Sequence, residues 1–200
     1  MCGLAGLFDL RGDRPVDRGL VQAMTDALTH RGPDDSGYLI EPGVGLGHRR
    51  LSIIDLAGGH QPIFNEDDSV GVVFNGEIYN FQDLMSELTA LGHVFKTRSD
   101  TETIVHAWEE WGEACVERLR GMFAFALYDR ARGCVFLARD RLGIKPLYYS
   151  CLPDGRVIFG SELKALLVHP DLDRTLDPRA VEDFFALGYV PDPRSIYRAR

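Results

Sequence analysis

The stretch Gly121-Met122-Phe123-Ala124-Phe125-Ala126-Leu127-Tyr128-Asp129 is the most strand-like run in the chain, and it has no polar face. A short turn at residues 130–133 joins it to a second apolar run at residues 134–139, which predicts a hairpin. A third run, at residues 70–74, is also apolar on both faces. Strands of this kind are buried on both sides, so these runs predict sheets in the interior of a layered structure.

The rest of the chain contains both strand-like and helix-like patterns. Further strands are predicted at residues 4–10, 38–40, 44–54, 94–97, 147–150 and 157–159. Apolar residues at helical spacing predict helices at 17–29, around 84–91, after 99–102, at 113–119, after 161 and after 177, with loops at 30–37, 57–62 and 140–146. Strands and helices do not alternate strictly, which disfavours a doubly wound parallel sheet. We predict an α+β fold, a four-layer αββα sandwich of two antiparallel sheets.

Composition narrows the class of protein. Two hundred residues suit a single domain. A net charge of −8 without a cluster of lysine and arginine argues against a nucleic-acid or anionic-membrane partner. The four cysteines form no Cys-x-x-Cys pair and no metal-ligand pattern with the six histidines, so we expect free thiols, no metal site and a cytoplasmic protein. The apolar run near the start is too short for a transmembrane segment, and no signal peptide is predicted.

The chain begins Met1-Cys2-Gly3, which places a thiol directly behind the initiator methionine. After removal of Met1, Cys2 would carry both a sulfur atom and a free α-amine. An α-amine has a reference pKa of about 7.7 to 8.0, so part of it is unprotonated at neutral pH and can accept a proton. A thiol beside its own base is an activated nucleophile. Taken alone, a frayed terminus with an incidental cysteine is the commoner explanation of such a sequence.

Several motifs along the chain favour a functional Cys2 over an incidental one. The sequence resembles the glutaminase domain of glutamine-hydrolysing asparagine synthetases, a class II glutamine amidotransferase and N-terminal-nucleophile hydrolase. Versions from bacterial exopolysaccharide gene clusters are similar too. The motifs cover nearly the whole chain: Met1-Cys2-Gly3, His30-Arg31-Gly32-Pro33-Asp34, Arg50-Leu51-Ser52-Ile53-Ile54-Asp55, Asn75-Gly76-Glu77-Ile78-Tyr79-Asn80, Ser99-Asp100-Thr101-Glu102, Gly121-Met122-Phe123-Ala124-Phe125-Ala126, Arg139-Asp140-Arg141-Leu142-Gly143-Ile144-Lys145-Pro146-Leu147-Tyr148-Tyr149 and Ser161-Glu162-Leu163-Lys164.

The resemblance implies a catalytic role for Cys2. Its sulfur would attack the side-chain amide of glutamine, release ammonia and leave a γ-glutamyl thioester that water hydrolyses to glutamate. Its α-amine would carry the proton. The Asn75 side chain and the Gly76 backbone N–H would stabilise the negative charge of the tetrahedral intermediate. The alternative is that Asn75-Gly76 is only a hairpin turn, since Asn-Gly is a strong hairpin signal.

The resemblance also implies how the amino-acid end of glutamine is held. Arg50 would clamp the α-carboxylate through its two-pronged guanidinium, while Glu77 and Asp100 would face the α-ammonium. A solvated strand arginine is the alternative for Arg50, and we expect adjacent Arg49 to be one. For Asp100 the alternative is helix capping, because Ser99 with Glu102 spells a capping box.

Other polar residues carry weaker signals. His30 or His48 would suit a papain-like cysteine–histidine pair, but a terminal amine makes an imidazole base unnecessary. Arg31 and Asp34 are predicted to hold the loop beside the pocket. The three remaining cysteines are predicted to be inert small hydrophobic residues, at positions 115, 134 and 151.

The family's synthetase half activates aspartate with ATP and magnesium, and ammonia attacks the acyl-adenylate. That half carries a Ser-Gly-Gly-x-Asp-Ser loop, which this sequence lacks. We therefore expect residues 1–200 to be a glutamine amidotransferase type 2 domain shortened near its C-terminal end. No cofactor is expected here; ATP and magnesium belong to the missing synthetase domain, the partner in cis.

Three questions stay open from sequence. The ammonia acceptor need not be aspartate, and homodimer formation is undecided. A catalytically silent amidotransferase-like scaffold is the main rival to a glutamine-hydrolysing enzyme, although retention of Cys2 with Asn75 and Gly76 counts against it. A redox thiol protein is a third hypothesis, but it lacks a resolving cysteine at usable spacing.

Overall fold

Two antiparallel sheets form the centre of the molecule. The computed structural model describes residues 1–12, 14–52 and 59–198; the predicted ends of the strand at 44–54 and of the loop at 57–62 fall partly outside these ranges. The first sheet has five strands in the order β2 (Asp35–Glu41), β3 (Val44–Arg50), β1 (Gly3–Asp9), β9 (Arg156–Gly160) and β8 (Tyr148–Cys151). The second has four, in the order β4 (Ile63–Phe64), β5 (Val70–Ile78), β6 (Gly121–Asp129) and β7 (Cys134–Arg139).

The helices begin and end at residues suited to those positions. They are α1 (Arg18–Asp26), α2 (Phe81–Ala90), α3 (Glu102–Trp111), α4 (Cys115–Arg118) after a 3-10 turn at Gly112–Ala114, α5 (Leu163–Leu166) and α6 (Pro178–Leu187). Asp17 and Asp177 cap α1 and α6, each accepting a hydrogen bond from a backbone N–H two residues on. Gly92 follows α2 at φ +109° and closes a Schellman motif, in which the N–H of His93 bonds to the carbonyl of Leu88.

Three apolar layers hold the four structural layers together. One lies between the two sheets and includes Leu4, Leu46, Val73 and Phe159. A second packs α1 and α5 on the outer face of the five-stranded sheet, and a third packs α2 and α3 on the outer face of the four-stranded sheet. Layers of helix, sheet, sheet and helix make an α+β sandwich, so the predicted fold class is confirmed.

Strand alternation explains where the polar residues of the candidate site lie. In β1, Leu4 packs between the sheets while Leu7 packs against the helices. In β5, Val73 faces the other sheet. Because side chains alternate with period two, Cys2 and Asn75 fall on inward-facing positions. The start of β1 and the end of β5 therefore direct their polar residues into one end of the space between the sheets.

The hairpin at residues 121–139 has the predicted bounds, but several other predictions were wrong. Residues 94–97 form no strand, because carboxylates of Glu66 and Glu102 accept the backbone N–H groups of Val94, Lys96 and Thr97. The helix predicted at 17–29 ends at Asp26, and β2 begins inside the predicted loop at 30–37. The two-residue β4 was missed. Within the described ranges, no helix has the length and apolar character needed to cross a membrane.

Candidate active site

The predicted site residues meet in a single pocket between the ends of the two sheets. Its volume is about 310 Å³. The six residues predicted from sequence that line it are Cys2, Arg50, Asn75, Gly76, Glu77 and Asp100. They come from the residue before β1, from β3 and β5, and from the segment before α3, so the fold brings together segments that are far apart in sequence.

Backbone groups hold Cys2 in place. The N–H of Leu51 donates to its sulfur at 3.4 Å, and the thiol lies 3.7 Å from the Leu51 carbonyl oxygen. Arg31 donates from Nε to the Cys2 carbonyl at 2.9 Å and pairs with Glu162 at 2.9 Å. Asp34 accepts from the N–H of Ser52, so the loop is held on both sides as predicted. Arg31 contacts the nucleophile candidate more directly than the sequence indicated.

Asn75 presents a buried donor to the pocket. Its side chain is 1% exposed, and its Nδ2 atom finds no hydrogen-bond acceptor among the described residues. A buried amide without an acceptor costs about 1–3 kcal/mol, so such a group persists where something else requires it. Asn75-Gly76 is not a hairpin turn, because both residues pair with β6 inside a strand. A Cβ on Gly76 would lie 2.3 Å from the Met122 carbonyl oxygen, so only glycine fits there.

Arg50 ends β3 and is buried at the pocket wall. Gly32 lets the preceding loop approach this strand, since a Cβ there would lie 2.5 Å from the Arg50 backbone nitrogen. Arg49 points elsewhere and donates to Asp26 at 2.6 Å. Its side chain is only 18% exposed, so the prediction of a solvated arginine at position 49 was wrong.

Asp100 is a buried carboxyl at the pocket wall, and it also accepts the backbone N–H of Thr101, the residue directly before α3. Its Oδ2 accepts the N–H of Ile78 at 2.9 Å. Burial raises the pKa of Asp100, and the neighbouring Glu77 carboxylate raises it further. The predicted capping box of Ser99 and Glu102 was wrong: α3 begins at Glu102, whose carboxylate reaches back to residues 96 and 97 instead of Ser99.

Neither of the two candidate histidines pairs with Cys2. His48 is buried, and its Nε2 lies 3.0 Å from the Phe74 carbonyl, to which it donates. Burial lowers the pKa of His48 to about 3, aided by the positive charge of Arg50, so the ring stays neutral. His30 is exposed and contacts Glu162 and Lys164. The described contacts therefore contain no cysteine–histidine pair of the papain kind.

The other cysteines differ from one another. Cys115 is buried, and burial raises the pKa of its thiol to about 11. Cys134 is half-buried on β7 and Cys151 is exposed on β8, and the inertness of all three thiols stays a prediction. All four cysteines are free thiols.

Sequence reasoning missed several residues that build the pocket. Gln61 is buried, lines it, and accepts the N–H of Phe74 at 2.6 Å through its side-chain oxygen. Lys145, in the motif at residues 139–149, also lines the pocket and is buried, and no role was predicted for it. Ser161 fixes β1, because its hydroxyl oxygen accepts the Leu4 N–H at 3.0 Å. Only the motifs around 145 and 161 carried a signal that could have revealed these residues.

Two bacterial enzymes are similar to this chain in sequence. Asparagine synthetase (glutamine-hydrolyzing) 3 of Bacillus subtilis is 43% identical over 190 residues, covering 94% of this chain and 31% of the relative. Asparagine synthetase (glutamine-hydrolyzing) 2 of the same organism is 46% identical over 191 residues, covering 94% of this chain and 25% of the relative. The chain thus spans about a quarter to a third of the length of these relatives.

Among solved structures, the glutamine phosphoribosylpyrophosphate amidotransferase of B. subtilis matches with a TM-score of 0.69 at 19% identity, over 84% of this chain and 43% of that one. At this identity the match supports the fold alone. The family model for the glutamine amidotransferase domain matches residues 1–199. This chain belongs to the family of glutamine amidotransferase domains.

Proposed function

We propose that this domain hydrolyses glutamine to glutamate and ammonia, with Cys2 as the nucleophile once Met1 has been removed. The observation that carries the proposal is the buried, unpartnered Nδ2 of Asn75 in the pocket that also contains the Cys2 thiol. A donor without an acceptor in the resting protein suits an oxygen whose negative charge develops during reaction. The carbonyl oxygen of a side-chain amide attacked by sulfur is such an atom.

The reaction divides into two steps. The Cys2 sulfur bonds to the amide carbon of glutamine, the carbon–nitrogen bond breaks, and the leaving nitrogen takes a proton carried by the α-amine. Water then attacks the resulting thioester, which releases glutamate and restores the thiol. Asn75 and the backbone N–H of Gly76 hold the oxyanion in both steps. No metal or cofactor takes part in this scheme.

The opposite end of the pocket offers charges that match an amino acid. The Arg50 guanidinium suits an α-carboxylate, and Glu77 with Asp100 suits an α-ammonium. Because Asp100 is buried beside a second carboxylate, an incoming cation would stabilise its charged form. This arrangement selects glutamine over simple amides that lack both charges.

The test measures glutamate and ammonia released from glutamine by the chain whose N-terminus has been checked by intact mass. We expect release by the mature parent, none above background by Cys2→Ala, and a fall in kcat of about 100- to 1,000-fold for Asn75→Ala. Arg50→Ala should raise KM, with Arg49→Ala as its matched control. Equal release by the parent and Cys2→Ala would overturn the proposal in favour of a silent scaffold.

We also propose that the ammonia is used for asparagine synthesis by a synthetase domain in the same polypeptide, in the reducing cytoplasm. The relatives named as asparagine synthetases are about three to four times as long as this chain, which supports a further domain. ATP and magnesium would act there. Full-length protein given amide-labelled glutamine, aspartate and ATP should yield labelled asparagine; labelled ammonia without labelled asparagine would point to another acceptor.

A further inference from the structure

A second polar cluster lies beyond the pocket, between the helices of the outer layer and the turn after β4. It consists of Glu66, His93, His106 and Glu109, and we call it the histidine–glutamate cluster. His106 and Glu109 lie three residues apart on α3, where a helix places them on one face. Glu66 follows β4, and His93 is fixed by the Schellman motif that ends α2. Three separate segments thus converge on one point.

The distances within the cluster resemble those around a tetrahedral ion. Each residue offers one ligand atom, and all four atoms lie within 4.8 Å of one another. Nδ1 of His106 lies 3.0 Å from Glu109 Oε2 and 3.5 Å from Glu66 Oε2. Nδ1 of His93 lies 3.6 Å from Glu109 Oε2; its 3.8 Å contact with Glu66 is to the other carboxylate oxygen, Oε1. Zinc bound tetrahedrally at about 2.0–2.1 Å separates its ligand atoms by about 3.3–3.4 Å.

The carboxylates are held by neighbours that leave ligand atoms available. Glu109 accepts from the Asn65 side chain through Oε1 at 2.7 Å, and this leaves Oε2 facing both imidazoles. Glu66 accepts from the N–H of Val94 through Oε1 at 2.7 Å, while its Oε2 faces His106. Each carboxylate is therefore oriented before any ion arrives.

Both imidazoles also have a carboxylate at the ring nitrogen that faces away from the cluster. His106 is fully buried, and its Nε2 lies 3.6 Å from Glu102, beyond hydrogen-bond distance. His93 Nε2 lies 3.5 Å from Glu110. A carboxylate hydrogen-bonded behind a metal-bound histidine fixes its tautomer and strengthens its donor nitrogen, and only a small shift of these side chains would be needed to form such bonds. The cluster places both Nδ1 atoms inward and both Nε2 atoms toward such partners.

We propose that the histidine–glutamate cluster is a binding site for one divalent transition-metal ion of the zinc type. Two imidazoles with two carboxylates form a nitrogen–oxygen set that suits zinc and excludes magnesium, which prefers oxygen ligands. Two neutral imidazoles and two carboxylates carry a charge of −2, which the ion neutralises. All four ligands are protein groups, so the role is structural. The ion would brace α3, which begins directly after the pocket residues Asp100 and Thr101.

The experiment measures zinc retained by the purified chain after dialysis, together with the visible spectrum of the Co²⁺-substituted protein. We expect one ion per chain, the intense absorption of tetrahedral Co²⁺, and a higher Tm with zinc than with a chelator. Glu109→Gln and Glu66→Gln keep their backbone and Asn65 contacts and should weaken zinc binding by at least the roughly 10- to 100-fold that loss of an outer-shell partner costs, because each removes a charged ligand. His106→Gln should abolish it.

Two controls make the test specific. His60→Gln removes an imidazole that also faces a carboxylate, that of Asp35, and should bind zinc like the parent. Cys2→Ala should do so too, because the pocket thiol lies outside the cluster. Absence of stoichiometric zinc in the folded parent would overturn the proposal and leave a hydrogen-bonded ionic cluster. Unchanged binding by both Glu→Gln variants would overturn it as well, whether or not His106→Gln folds.

Discussion

Asp100 and Asp140 have almost the same burial, at 5% and 6% exposure, but opposite electrostatic environments. Burial alone would raise the pKa of Asp140, yet the backbone N–H groups of residues 123, 142, 144 and 145 donate to it and hold that pKa below its usual range. Asp100 accepts the Ile78 N–H beside Glu77, and burial keeps its pKa above the usual range.

The two residues differ in how far the protein itself compensates a buried negative charge with hydrogen-bond donors. Asp140 has its hydrogen bonds supplied by the loop it organises, so its ionised form stabilises the folded state. Asp100 is ionised at a cost that the protein alone does not offset. A cationic ligand group binds most favourably beside a buried carboxylate that the protein does not compensate. The unpartnered Asn75 amide offers the same advantage to a negatively charged oxygen.

Asp140→Ala should have the largest effect on stability. It leaves the buried N–H groups of Phe123 and Lys145 without an acceptor, which costs about 1–3 kcal/mol each, so we expect a loss of about 4 kcal/mol. Urea denaturation measures it. A loss below about 1 kcal/mol would show that Asp140 is not a structural charge and would remove one side of the comparison.

Asp100→Asn should instead affect function. The amide oxygen can still accept from Ile78, while the buried charge beside Glu77 disappears, so Tm should hold or rise at neutral pH. Loss of the charged partner for the substrate ammonium should lower kcat/KM for glutamine by about 100-fold, which corresponds to about 3 kcal/mol. A fall in Tm of several degrees with unchanged kcat/KM would assign Asp100 to the fold.

His48 extends the comparison to a buried base. Its pKa of about 3 lies below the ordinary 6.5. The contribution of the neutral ring to the free energy of unfolding is therefore complete above pH 6.5 and decreases as pH falls. At about 1.4 kcal/mol per pH unit, the parent should lose about 2 kcal/mol from this residue between pH 6.5 and 5. His48→Gln, which can still donate to Phe74, should lack this loss. Parallel pH profiles of unfolding free energy in the two proteins would contradict it.

Arg49→Ala should produce the smallest change. Its ion pair with Asp26 is partly exposed, and such pairs contribute about 0.5 kcal/mol. Glutamine hydrolysis should stay within about twofold of the parent, since Arg49 does not line the pocket. Chemical denaturation and steady-state kinetics on the same preparation measure both quantities. A large fall in kcat/KM for glutamine would mean that Arg49 contributes to the pocket as well as Arg50.

The sequence predicted the fold best where the pattern of apolar residues matches the way a segment is packed. The hairpin of β6 and β7 alternates between two apolar layers, so its apolar residues alone define its bounds. The segment at 94–97 has a strand-like composition, but carboxylates from distant segments take its N–H groups. The two residues of β4 are too few to form a pattern. Periodicity reports burial and does not report where hydrogen bonds go.

The pocket residues were predicted from motifs and their resemblance, not from spacing. Cys2, Arg50, Asn75 and Asp100 belong to different segments, which meet because β3 pairs with β1, the two sheets pack together and Asp100 bonds to Ile78 of β5. Their catalytic and binding roles stay predictions until the variants are assayed. The histidine–glutamate cluster escaped notice because its ligands come from three segments with no fixed spacing, which led to the expectation of no metal site.

The position of β1 has a consequence for the timing of synthesis. Residues 3–9 pair on one side with β3 but on the other with β9, and Leu4 exchanges hydrogen bonds with Ser161. At about 5–20 residues per second, a ribosome needs roughly 10–30 s to reach residue 160. Until β9 has been synthesised, the strand behind Cys2 can pair with β3 but not with β9. The five-stranded sheet around the N-terminal strand is therefore completed only after most of the domain has been synthesised.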